Sequence, residues 1–209
     1  MVEGLKEMRA HQVVGIGHSL GGVLTLYAAV KEPDLFKQIV LIDPTMLAPG
    51  LLRKIRFMKF FGFEARNFLV KGALRRKREW ETYREAYEYF RGRQLLKTWS
   101  DEMVESYTKS ITAPSPQGKV SLSYPPEWEA QIYRTIPTDL WKFARRLEQP
   151  SLVIRGEKSN TFLEDGEKEF RKVNPKANLA VVAGAGHLVP QEKPEEVGAL
   201  ILNFLQGPS

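Results

Sequence analysis

The sequence predicts an α/β fold in which a parallel sheet of about four strands is flanked by helices and interrupted by a helical insertion. Residues 12–44 contain an apolar run, a segment with apolar residues at helical spacing and a second apolar run, the order of a parallel strand, helix, strand unit. Apolar strand patterns return at residues 151–155 and 177–182. In contrast, residues 45–149 show helical spacing and no clear strand.

The strand, helix, strand segment at residues 12–44 has recognisable ends. Residues 12–17 form the first predicted strand, and residues 20–31 form a helix that Pro33 closes. The second strand, residues 38–42, ends at Asp43 because the proline that follows cannot donate a hydrogen bond to a sheet. The two strands of such a crossover run in the same direction, so their carboxyl ends lie at one edge of the sheet.

The later segments complete the core and delimit the insertion. A polar helix over residues 164–173 separates the last two strands, and residues 194–205 carry apolar side chains at helical spacing. We therefore predict a core made of residues 1–44 and 150–209, with a helical cap formed by residues 45–149.

Composition restricts the classes of function. The 209 residues include no cysteine, which excludes disulfides, a cysteine nucleophile and a thiolate metal site, and we expect neither a cofactor nor a metal. The apolar runs are too short for a membrane span and residues 1–10 alternate in charge, so we expect a soluble, cytoplasmic protein. Residues 45–149 carry 20 basic and 12 acidic side chains, but the basic run at residues 75–78 precedes spaced glutamates typical of a salt-bridged helix. This argues against a nucleic-acid partner.

The pentapeptide at residues 17–21, GHSLG, places a serine where a strand gives way to a helix. The G-x-S-x-G pattern in this context is typical of a nucleophile elbow, a strained turn that presents the hydroxyl of Ser19 above the sheet. The amide of Leu20, at the start of the helix, is then one donor to an oxyanion. An ordinary helix N-cap is the alternative interpretation of Ser19.

A serine nucleophile needs a base, and the chain contains three histidines. His187 follows the last predicted strand in a glycine-containing loop, which places it at the same edge of the sheet as Ser19. His18 is expected to point away from the serine, and His11 precedes its strand and should lie at the opposite end. We therefore predict His187 as the general base.

These two loops resemble the signature loops of the α/β-hydrolase family. The resemblance is carried by VGIGHSLGG at residues 14–22 and VAGAGHLVP at residues 182–190. It implies that Ser19 attacks a carbonyl, that His187 takes and returns the proton, and that an acid orients His187. It also implies a partial α/β-hydrolase fold, because the chain would begin in the helix before the family's fifth strand, with a cap where the family inserts one.

The acid is where the chain departs from the family pattern. The family usually supplies an aspartate after its seventh strand, where this chain has Ser159 and Asn160, and neither side chain carries a charge. Some members place the acid at the end of the sixth strand, which corresponds to Asp43. We favour Asp43 and keep Glu157 and Asn160 as alternative positions; a turn-forming Asp-Pro without catalytic role is the other interpretation of Asp43.

The resemblance also implies an open edge. Without the family's first four strands, the loop that normally supplies a second oxyanion amide is also missing, and losing one such donor costs about 3–4 kcal/mol of transition-state stabilisation. The strand at residues 12–17 would then be an edge strand with uncovered apolar surface. We therefore expect the chain to form a homo-oligomer through this edge or to bind a partner there.

Together these features predict a hydrolase that cleaves carboxylic esters of small to medium acyl chains through an acyl-enzyme. The aromatic and basic side chains of the cap would line the acyl pocket. A serine nucleophile argues against the dehalogenase and epoxide-hydrolase branches, which use aspartate. The alternative is a hydrolase scaffold without turnover that binds a ligand or a partner.

Overall fold

The computed structural model describes residues 1–61, 68–135 and 137–207. Its helices and strands follow one another as α1 (Val2–Glu7), β1 (Val13–His18), α2 (Leu20–Lys31), β2 (Phe36–Ile42), α3 (Pro49–Phe60), α4 (Phe68–Leu74), β3 (Glu79–Trp80), α5 (Tyr83–Arg91), α6 (Asp101–Ile111), β4 (Thr112–Pro114), β5 (Val120–Leu122), α7 (Pro126–Arg134), α8 (Leu140–Ala144), β6 (Ser151–Gly156), α9 (Glu164–Val173), β7 (Asn178–Val182), α10 (Val189–Glu192) and α11 (Pro194–Gln206). Within the described ranges, no helix combines the length and the apolar character that crossing a bilayer requires.

The chain divides into two compact units. The first comprises Met1–Lys54 and Thr138–Ser209, and the second comprises Ile55–Pro137. Both boundaries fall inside residues 45–149, the range that the sequence assigns to a cap. The role of that range as a cap stays a prediction.

The first unit contains the predicted parallel sheet. Its strand order is β1-β2-β6-β7, and all three neighbouring pairs are parallel. In these pairs Ile16 lies beside Val40, Leu41 beside Val153, and Ile154 beside Ala180. The predicted α/β fold class, with about four parallel strands flanked by helices, is confirmed.

The continuous apolar sequence of β2 reflects burial on both faces of the sheet. Ile39 and Leu41 join a core cluster that includes residues of α2, α8 and α9. Val40 and Ile42 point to the opposite face and join a cluster with α10 and α11. Side chains alternate along a strand, so helices on both faces require apolar residues at every position. Because the four strands are parallel, their carboxyl ends lie at one edge of the sheet, where the site described below is formed.

The second unit combines helices with a short antiparallel sheet of order β3-β5-β4. Helices α4 and α7 contribute to its small apolar cluster through Val70, Ala73, Ala130 and Tyr133. The expectation of no strand in this part of the chain was wrong. Each of these strands has only two or three residues, which is too short for an alternating pattern to be read from the sequence.

Among the described strands, β1 forms one edge of the parallel sheet. Two of its apolar side chains, Val14 and Ile16, are 37% and 50% exposed. An edge strand with uncovered apolar residues pairs readily with another chain. We therefore propose that the chain self-associates through β1.

Light scattering at micromolar concentration tests this proposal. We expect the mass of a dimer or a larger oligomer, and we expect Ile16→Lys to lower it because a buried lysine would be unpaired at the contact. Leu202→Lys is the matched control, since Leu202 is an exposed apolar residue on α11. A monodisperse wild-type monomer would contradict the proposal.

Candidate active site

Ser19 lies in the tight turn between β1 and α2. Its φ of 57° is positive, which is uncommon for a residue with a side chain and marks a strained turn. A Cβ atom on Gly17 would clash with the carbonyl oxygen of Gly21, and one on Gly22 would lie 3.1 Å from the Cβ of Pro44. Glycine at positions 17 and 22 therefore permits the close packing around the serine. A Cβ on Gly21 would meet nothing within 4 Å, so its contribution is the backbone alone.

The structure brings Ser19, His187 and Asp43 together in one line of hydrogen bonds. The Ser19 Oγ lies 2.9 Å from His187 Nε2, and His187 Nδ1 lies 2.6 Å from Asp43 Oδ2. A carboxylate only accepts, so Nδ1 carries the hydrogen and Nε2 is left free to accept the proton of the serine hydroxyl. This is the arrangement that a nucleophile, a base and an orienting acid require.

Asp43 is fully buried, and three donors surround its carboxylate. The amide of Gly156 donates to Oδ1 over 2.9 Å, and the hydroxyl of Ser159 donates to Oδ2 over 2.6 Å, alongside His187. Asp43 also has a φ of 39°, a region that aspartate tolerates better than most residues. Because β2 and β6 are neighbours, the end of β6 delivers these donors to the end of β2. The buried charge is thereby compensated by hydrogen bonds.

The two alternative acid positions lie elsewhere. Asn160 is exposed, and its side-chain oxygen accepts a hydrogen bond of 3.3 Å from the neighbouring Thr161 hydroxyl. Glu157 accepts a 2.7 Å hydrogen bond from the amide of Gly184. Glu157 thus ties the loop after β6 to the loop that carries His187. Of the candidate acids, the structure places Asp43 against the imidazole.

Ser159 is a site residue whose role the sequence analysis missed. Its side chain is buried, and its Oγ accepts hydrogen bonds of 3.1 Å from the amides of both Thr161 and Phe162. These amides occupy the lone pairs, so the hydroxyl proton is directed to Asp43. Ser159 and Asp43 are 116 positions apart, and a lone loop serine carries no sequence pattern that indicates such a partner.

The expected orientation of His18 was wrong. Its ring lies with its centroid 5.1 Å from that of His187, and its Nε2 lies 2.8 Å from the backbone oxygen of His187. A carbonyl only accepts, so His18 donates and holds the backbone of the predicted base. Side chains alternate between the two faces of a strand, but the positive φ of Ser19 ends that alternation directly after His18.

Burial lowers the pKa of His18 below its ordinary value of 6.5. The unfolded chain therefore binds a proton at this residue more readily than the folded chain does, so acid favours unfolding. We expect the free energy of unfolding to fall as the pH drops below about 6.5, until the pH reaches the lower pKa of the folded state. Urea unfolding between about pH 8 and about pH 5 measures this dependence.

In this measurement we expect His18→Gln to show a smaller loss of stability in acid, since the side-chain amide can still donate but does not titrate. His11→Gln is the matched control, because it makes the same substitution at an exposed position. An unaltered pH dependence in His18→Gln would contradict the assignment to His18.

Leu20 is the first residue of α2, so its amide has no acceptor within the helix. It lies directly after Ser19 at the positive end of the helix dipole, the position from which a backbone amide stabilises a developing oxyanion. Its role as the oxyanion donor stays a prediction. Among the described residues, no three His, Asp or Glu side chains are grouped so that they could hold a metal ion.

Comparison with known proteins points to one fold family. A family model described as the alpha/beta hydrolase fold matches residues 5–194. The uncharacterized hydrolase YugF of Bacillus subtilis is 23% identical over 97% of this chain and 68% of its own length. The 2-(acetamidomethylene)succinate hydrolase of Mesorhizobium japonicum is 26% identical over 94% of this chain and 65% of its own, and the sn-1-specific diacylglycerol lipase ABHD11 of Danio rerio is 24% identical over 97% and 60%.

A crystal structure of E-2-(acetamidomethylene)succinate hydrolase superposes with a TM-score of 0.79 and 25% identity, covering 97% of this chain and 70% of that one. The chain thus spans between 60% and 68% of the length of the three curated relatives. The match of the family model extends over most of the sequence and includes Ser19, Asp43 and His187. The chain belongs to the α/β-hydrolase fold family.

Proposed function

We propose that the chain is a serine hydrolase that cleaves carboxylic esters of small to medium acyl chains. One observation carries this proposal, the unbroken line of hydrogen bonds from the Ser19 hydroxyl through the His187 imidazole to the buried Asp43 carboxylate. The contacts of 2.9 Å and 2.6 Å are within the range that proton transfer from a nucleophile to a base requires. The strained turn at Ser19 supports the same interpretation.

The proposed reaction has two halves. His187 Nε2 takes the proton from Ser19 as its Oγ attacks the ester carbonyl, and the resulting oxyanion is stabilised by the Leu20 amide. The imidazolium, held by Asp43, returns the proton to the leaving alcohol, which departs and leaves an acyl-Ser19 ester. Water then attacks this ester with His187 again as base, and proton return to Oγ releases the carboxylic acid.

The relatives support an acyl substrate. One is named as a diacylglycerol lipase and another as a hydrolase of an acetamido compound, so both names specify a compound that carries an acyl group. Ester hydrolysis is the least demanding of these reactions, since an alcohol leaves more readily than an amine.

Covalent labelling tests the proposal directly. A fluorophosphonate should modify the chain, and peptide mapping should place the label on Ser19. p-Nitrophenyl acetate and butyrate should be hydrolysed faster than the palmitate ester. A chain that takes no label and hydrolyses all three esters at the rate of a buffer blank would contradict the proposal and favour a scaffold that binds without turnover.

A further inference from the structure

Thr45 lies two residues after Asp43, the predicted acid, and contacts Ser19, the predicted nucleophile. Its Oγ1 lies 3.3 Å from Ser19 Oγ, and its amide donates a 3.2 Å hydrogen bond to the carbonyl oxygen of Ser19. Backbone and side chain of one residue therefore both contact Ser19. Nothing in the sequence pattern pointed to Thr45, because it lies in the irregular segment between β2 and α3.

The segment that carries Thr45 is fixed on both sides. Pro44 packs against Gly22, where a Cβ would approach the proline Cβ to 3.1 Å. Met46 is fully buried in the core, and the indole of Trp141 donates a 3.0 Å hydrogen bond to the carbonyl of Leu47. These contacts hold the backbone before and after Thr45, so the position of its hydroxyl is determined by the fold.

The direction of the hydrogen bond follows from the neighbouring groups. Asp43 accepts from His187 Nδ1, so His187 Nε2 accepts the proton of Ser19. The hydroxyl of Ser19 has a single hydrogen, which this bond uses. Only lone pairs remain on Ser19 Oγ toward Thr45, and the Thr45 hydroxyl must therefore be the donor in their contact.

We propose that Thr45 is a further catalytic residue, whose hydroxyl donates to Ser19 Oγ and stabilises the negative charge that develops there. As His187 removes the proton in acylation, charge accumulates on Oγ before its bond to the carbonyl carbon is complete. When the acyl-enzyme breaks down, the same oxygen leaves with electron density and regains its proton from His187. A donor aimed at Oγ is stronger in both transition states than in the resting enzyme, which is the condition for catalysis. This inference rests on the proposed serine mechanism.

The test compares Thr45→Val, which keeps the shape but loses the hydroxyl, with Thr45→Ser, which keeps the hydroxyl. Burst kinetics with p-nitrophenyl acetate give the acylation rate. We expect Thr45→Val to slow acylation about tenfold, the effect of one hydrogen bond to a charged atom. KM and the midpoint of the pH profile should stay unchanged, since neither substrate binding nor the pair of His187 and Asp43 is altered. Thr45→Ser should react within about twofold of wild type.

The matched control is Thr112→Val, which removes a hydroxyl that donates to the backbone of Thr108 in the second unit, and it should acylate at the wild-type rate. If Thr45→Val acylated at the wild-type rate, or if Thr45→Ser slowed acylation as much as Thr45→Val does, the proposed role of the Thr45 hydroxyl would be overturned. Neither result would contradict the serine mechanism itself. Hydrolysis by Ser19→Ala at the wild-type rate would instead overturn the proposed function, and this inference with it.

Discussion

Ser19→Ala is expected to reduce kcat for p-nitrophenyl butyrate by about 10⁴-fold or more, to the rate that binding and the oxyanion donor alone can sustain. The reason is the loss of the oxygen that lies 2.9 Å from His187 Nε2 and forms the acyl-enzyme. Alanine has the smallest side chain that retains a Cβ, so the turn with its φ of 57° should persist. Initial rates measure the effect, and a thermal melt checks that the fold is retained.

The control is Ser110→Ala, which removes a serine hydroxyl from the surface of α6 and should leave kcat unchanged. The double variant Ser19→Ala with His187→Ala should be no slower than either single variant, because the two residues act as one unit. Equal rates in wild type and Ser19→Ala would show that hydrolysis does not use this serine.

Asp43→Asn is expected to reduce kcat by about 10³- to 10⁴-fold. An asparagine amide can donate to His187 Nδ1, which moves the ring hydrogen to Nε2 and removes the acceptor that the Ser19 proton needs. Asparagine tolerates the φ of 39° at this position as aspartate does, so the backbone should keep its path. Steady-state kinetics above neutral pH measure the loss.

Two variants at the alternative acid positions serve as controls for Asp43→Asn. Asn160→Ala should change kcat little, because Asn160 is exposed and its side chain bonds to Thr161. Glu157→Gln should have a small effect through the loop contact to Gly184. If Asn160→Ala lost more activity than Asp43→Asn, the acid role would move to the loop after β6.

The core of the fold could be predicted from the sequence because its elements are long and strongly patterned. The helix predicted over residues 20–31 is α2 with the same ends, and the four predicted strands correspond to β1, β2, β6 and β7 within two residues at either end. An apolar run closed by glycine or proline is a local property of the chain. The three short strands of the second unit could not be predicted, since their pairing depends on partners up to 42 positions apart, as between Glu79 and Ser121.

The sequence by itself determined the strand-to-helix turn at Ser19 and placed His187 at the same edge of a parallel sheet, since strand direction and loop position follow from local pattern. Only the tertiary structure decided which of Asp43, Glu157 and Asn160 lies against the His187 ring, because hydrogen-bonding distance depends on how the loops after β2, β6 and β7 pack together. The same holds for the His18 ring, the Ser159 hydroxyl and Thr45. Each acts through a partner distant in the sequence, and directional contacts of about 3 Å between distant residues leave no periodic trace in the chain.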